Sequence, residues 1–196
     1  MVRRIGWAVV IVVVVLVAVL VAGVVAVVRG QSRPAVDTAS LLLSGDASPR
    51  VTDPGRWVAE HDDVTTMGPG VAHHQITRSW TAGERDPALT QMVLRYDGVP
   101  SAIWYYAVDD PAREYRSERG GGEEVDAGGA ARHADAHKLF CGNSDPEQCG
   151  TWVYWARYGQ YAVRLYYVQR VSEPLSLEEF RGYVSTVDRV MAERLG

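Results

Sequence analysis

The run IGWAVVIVVVVLVAVLVAGVVAVV, Ile5 to Val28, holds twenty-four residues without a charge. As a helix rising about 1.5 Å per residue it covers the roughly 30 Å hydrocarbon core of a bilayer. A cleavable signal peptide is the competing reading, but such peptides have apolar regions of about 7 to 15 residues before a small-residue cleavage site. The expected organisation is a cytoplasmic tail over residues 1–4, an uncleaved transmembrane helix over 5–28, a stalk over 29–50 and an extracytoplasmic domain over 51–196. The stalk, GQSRPAVDTASLLLSGDASPR, mixes Gly, Ser, Pro and Ala with one short apolar run, Leu41 to Leu43.

Arg3, Arg4 and the terminal amine precede the span, and Arg29 and Arg33 follow it, so basic residues alone orient it weakly. Cys141 and Cys149, the only two cysteines, strengthen the orientation, because an isolated pair around a polar loop is the pattern of an oxidising compartment. Both signals place the larger part of the chain outside the cytoplasm. Residues 30–196 carry seventeen basic residues and twenty-four acids, a formal charge of 17 − 24 = −7. That balance disfavours a nucleic-acid surface. The membrane is the expected partner, with another envelope or membrane protein as a further one. Within the span Ala18, Ala22 and Ala26 form a ridge of small residues that permits self-association, although an Ala/Val-rich span produces such a ridge readily.

The remaining length suffices for one core. Residues 71–83 and 87–98 have the β-branched and aromatic content of strands. In VPSAIWYYAVDDP, Pro100 opens a helix that Asp109 to Pro111 would end; a hairpin through Asp97-Gly98 is the alternative. SERGGGEEVDAGGAA, residues 117–131, shows no periodicity and reads as a mobile surface loop.

TWVYWARY and QYAVRLYYV have a period of two and flank Gly159-Gln160, a type II′ turn in which Gly supplies the positive φ. Pairing outward sets Tyr158 against Tyr161, Ala156 against Val163, Tyr154 against Leu165 and Trp152 against Tyr167 on an apolar face. The other face carries Trp155, Arg157, Arg164 and Tyr166, with Arg164 placed over the Trp155 ring. These four are a candidate binding surface, aromatic and Arg side chains being typical of recognition patches; a second helix or the 117–131 loop covering them is the alternative. Farther on, Ser176 and Glu179 form a capping box, Leu175 and Phe180 a staple, and Phe180, Tyr183, Val184, Val187, Val190, Met191 and Leu195 an apolar helical stripe. The expected fold is α+β: an N-terminal transmembrane helix, then a mainly antiparallel sheet of about five strands with two helices packed on one face.

Cys141 and Cys149 enclose GNSDPEQ, and a bond between them would pin two strands together; a redox role would favour C-x-x-C. His133, Asp135 and His137 alternate in RHADAHK and would share one side of a strand, a weak metal-ligand pattern that a polar-faced strand explains as well. No G-x-S-x-G, S-x-x-K, H-E-x-x-H or Gly-rich phosphate loop occurs, so no catalytic residue and no cofactor is expected.

Nineteen of the twenty basic residues are Arg, a bias of GC-rich genomes. With its basic tail, Val/Ala span, Pro-containing stalk and the segment CG…CGTWVYWARYGQYAVRLYY followed by an amphipathic helix, the chain resembles single-span, membrane-anchored extracytoplasmic proteins of actinomycetes such as streptomycetes, a group without an assigned activity. The likeness is specific over residues 140–195. More loosely the chain is similar to the small extracytoplasmic sensor and lipoprotein domains of that phylum, although no lipobox cysteine lies near the span. The resemblance implies topology and localisation: a single-pass cell-membrane protein with a cytoplasmic N-terminus. The expected function is a non-enzymatic extracytoplasmic binding or interaction domain; a cell-envelope hydrolase is the alternative.

Overall fold

The computed structural model describes residues 2–44, 53–62, 72, 74–81, 87–111, 122–142, 149–168 and 175–196. The chain divides into two compact units, Met1–Ser32 and Arg33–Gly196.

The first unit is a single helix, α1 (Val2–Gln31). Its large apolar side chains from Ile11 to Val27 are exposed on every side, and Ile11–Gln31 has a mean hydropathy of 3.5, as a membrane anchor requires. Arg29 lies in the last turn, and the Ser32 hydroxyl donates to the Val28 carbonyl at 3.1 Å, so the last turn is partly satisfied.

In the second unit, β1 (Asp53–Asp62), β2 (His74–Thr81), β3 (Pro87–Arg95), β4 (Glu123–Val125), β5 (Ala136–Cys141), β6 (Thr151–Tyr158) and β7 (Tyr161–Val168) form one antiparallel sheet. Its order is β1-β2-β3-β7-β6-β5-β4. Among the described residues, two further helices, α2 (Val99–Val108) and α3 (Leu177–Leu195), make the fold α+β. The β6–β7 register is the one the alternation dictates, with Tyr154 opposite Leu165 and Trp155 opposite Arg164. Gly159 has φ +62° and among the described residues, Gln160 included, no non-Gly residue has positive φ, which fits type II′ and excludes type I′.

The structure corrects the expectation in four places. The sheet has seven strands rather than about five. The helices take opposite faces: α3 packs over Tyr154, Val163 and Leu165, and α2 over Trp155 and Ala162. The chain order sets a crossing over the sheet, because β3 lies beside β7 while the next strand in sequence, β4, is at the far edge. The connection from β3 to β4 therefore crosses three strands, and α2 lies in it. As a result every residue of β6 is buried.

Third, residues 33–43 belong to the domain rather than to a stalk. Leu41, Leu42 and Leu43 are buried in the α3-side core. The buried Gln91 side chain of β3 accepts from Leu43 N at 2.7 Å and donates to Leu41 O at 3.1 Å, and Arg78 donates to Leu43 O at 2.6 Å. Each Leu contributes about 1.5–3 kcal/mol on burial, enough to hold a short segment that its Ser and Pro content would otherwise leave loose. Fourth, the 117–131 loop contains β4, paired antiparallel to β5, and a 3-10 turn at Gly128–Ala130. The open edge of β5 selects that pairing, and the two Glu of β4 suit an edge strand; residues 112–121 lie outside the described part.

Helix α3 begins as its sequence specifies. Ser176 Oγ accepts from Glu179 N, and Ser176 N donates to Glu179 Oε2 at 3.0 Å. Leu175 and Phe180 are both buried in the same core, and the Trp152 indole N–H donates to Leu175 O at 2.7 Å.

Candidate functional site

On the α2 face, the four residues expected as a recognition patch are instead a second, smaller core and its rim. Trp155 is fully buried, with its ring stacked on Tyr106 at 5.5 Å and edge-on to Tyr105 at 6.4 Å, and its indole N–H donates to Tyr106 O at 3.3 Å. The Arg164 guanidinium does lie over the Trp155 ring, at 5.3 Å, and donates to Asp109 at 3.0 Å. Arg157 is buried, donating to Gly159 O at 3.2 Å and to Asp135 at 3.4 Å. Tyr166 is half-buried against Phe140 and Val153. Burial pushes the Tyr105 hydroxyl up to about 12 and raises Tyr96 and Tyr106 further still, so these three phenols stay neutral.

The disulfide forms between Cys141 and Cys149, with Cα atoms 5.8 Å apart, and ties the end of β5 to the start of β6. The histidine pattern does not assemble a metal site. Only His137 lies on β5, exposed, whereas His133 and Asp135 precede the strand. The Asp135 carboxylate accepts from the Gly159 N–H, from Arg157 and from Arg33 at 3.3 Å, which locks the β6–β7 turn. Among the described residues no three His, Cys, Asp or Glu side chains could share a metal ion.

His133 belongs to a different constellation, on the α3 side. Asp188 of α3 is buried, and its carboxylate accepts from Arg132 N at 3.0 Å, His133 N at 3.1 Å, His133 Nδ1 at 2.7 Å and the Tyr158 hydroxyl at 2.9 Å. With its proton given to Asp188, Tyr158 accepts from Tyr154, whose hydroxyl lies 3.0 Å away. Burial raises both phenols well above the ordinary tyrosine value, so they act as neutral donors. A charge in the middle of an apolar stripe, four residues after Val184 and three before Met191, was the sequence signal for Asp188.

The His133 ring is 57% exposed while Asp188 is 4% exposed. A buried carboxylate thus fixes Nδ1 and leaves Nε2 to face outward, the arrangement that presents an imidazole to a ligand or a proton. His133 stands at a cleft of about 210 Å³ whose other walls include Arg33, Tyr158, Met191, Ala192 and Leu195. The cleft combines an apolar floor with an imidazole and a guanidinium, and no Ser, Thr or Cys is among its described lining residues. It suits a small ligand with an apolar body and one polar group. No family model, curated protein or solved structure matches the chain.

Proposed function

We propose that the chain is a membrane-anchored extracytoplasmic binding domain that takes a small amphipathic ligand in the cleft beside His133. The observation that carries this reading is the buried Asp188, which fixes an exposed imidazole at the rim of an apolar cleft. The apolar helix α1 supports anchoring, and the Cys141–Cys149 bond supports an oxidising compartment. Arg33 is engaged with Asp135 inside the domain, which leaves Arg29 alone against Arg3 and Arg4 in the positive-inside comparison. A photo-reactive amino acid at Ala192, irradiated in native membranes, should collect a defined small-molecule adduct that the same probe at the exposed Ser185 does not. Identical adducts at both positions, or none at Ala192, would count against the cleft.

One observation favours the alternative, a cell-envelope hydrolase: the His133–Asp188 pair has the geometry of a general base and its orienting carboxylate. The Tyr158 hydroxyl in the cleft wall is committed to Asp188 at 2.9 Å rather than free to attack a substrate, which makes binding the leading reading. Turnover of envelope esters or glycans by the full chain, lost in a folded His133→Ala variant, would reverse that order.

A further inference from the structure

Helix α2, VPSAIWYYAV, has Ser101 as its only polar side chain apart from two tyrosines. A helix apolar on all sides belongs where all sides are covered. Val99 and Ala102 are buried, and Tyr105 and Tyr106 pack on Trp155. Yet Pro100, Ile103, Trp104, Ala107 and Val108 form an exposed outer stripe, with Ile103 41%, Trp104 55% and Val108 48% exposed.

We propose that this stripe docks into the headgroup region of a lipid bilayer. Three observations select lipid as the occupant. The chain carries its own membrane-spanning candidate, and Ser32 alone separates the last residue of that helix, Gln31, from Arg33, the first residue of the domain. Inside the domain, Arg33 N donates to the Gln160 side chain at 2.9 Å, and Gln160 returns a bond to Arg33 O at 2.6 Å. The Gln160 carbonyl accepts from Tyr96 N at 2.9 Å, three residues before α2 begins. Gln160 therefore bonds both to Arg33, the first residue of the domain, and to Tyr96, which leads into α2. Third, the stripe is uncharged, and the acids at its C-terminal end are paired: Asp109 with Arg164 at 3.0 Å and Asp110 with Lys138 at 2.6 Å. Trp with short aliphatic residues is the composition that partitions to the interface. An anchored domain meets the bilayer at high effective concentration, so a short stripe suffices. The inference rests on the anchoring part of the proposed function and not on the cleft.

The test uses the full chain in vesicles of phosphatidylcholine and phosphatidylglycerol, with an environment-sensitive fluorophore on Ala107→Cys, Val108→Cys, Ser185→Cys or Val17→Cys. Because Cys141 and Cys149 are bonded, only the introduced thiol reacts. Lipids bearing a doxyl quencher near the headgroup should dim the probes at 107 and 108 several-fold more than the probe at 185. Trp104→Asp should remove the dimming at 107, and acyl-chain doxyl should dim the probe at 17. If 17 is dimmed while 107 and 108 behave like 185, docking is overturned and anchoring stands. If 17 is not dimmed either, both fall. Probes at 107 and 108 shielded from doxyl lipid and from aqueous iodide alike would mean that protein covers the stripe, which also overturns the proposal.

Discussion

Tyr154 and Trp155 are neighbours on β6 and point to opposite faces, and both are fully buried. Replacing Trp155 by Ala should cost roughly 3–5 kcal/mol and Leu165→Ala roughly 2–5 kcal/mol. The period of two separates the two faces correctly, but the burial of Trp155 follows only from α2, which covers the second face. A Trp155→Ala loss under 1 kcal/mol by denaturant titration would show that α2 leaves this face. Asp188→Asn replaces one acceptor oxygen by a donor opposite Arg132 N, His133 N, the His133 ring and Tyr158. It should destabilise the domain by roughly 1–3 kcal/mol, the cost of unsatisfied buried donors, and distinctly more than His133→Ala. Burial raises Tyr154 and Tyr158 in the folded state above the unfolded value of 10.0. The unfolded chain therefore loses these protons first as pH rises. The stability they contribute is complete below about pH 10 and is lost above it. In an absorbance titration these phenols should ionise only as the fold is lost.

Elements were legible where local chemistry and tertiary environment agree. The capping box, the staple and the stripe define α3 because each is a short-range pattern, and the β6–β7 register follows from one glycine and two alternating strands. Strand β4 was not legible, since three residues in a Gly-rich acidic stretch become a strand only beside the open edge of β5. Nor was the packing of residues 33–43, where Leu41 to Leu43 are short enough to suit a linker until Gln91 and Arg78 appear opposite them. A chain beginning at residue 45 should accordingly lose several kcal/mol of stability in urea, given about 1.5–3 kcal/mol per buried Leu. The disulfide closes a loop of nine residues, worth roughly 2–3 kcal/mol by chain entropy. Free-thiol labelling of the denatured, unreduced protein should be negligible, and reduction should lower the melting temperature.

At the scale of the whole molecule, two features come from different kinds of signal. The anchor is visible in composition alone, because a bilayer recognises length and apolarity. The candidate site is not, since His133, Tyr158 and Asp188 lie on three separate segments and meet only when α3 folds over the sheet. The fold disperses the alternating His133, Asp135 and His137, and His133 acquires its partner fifty-five residues away. A membrane-impermeant maleimide applied to intact, wall-stripped cells carrying His133→Cys tests anchoring, orientation and the openness of the cleft together. With the native cysteines bonded, this thiol should label fully before any permeabilisation. Labelling only after permeabilisation would place the domain in the cytoplasm, and no labelling even in detergent would close the cleft on which the proposed function depends.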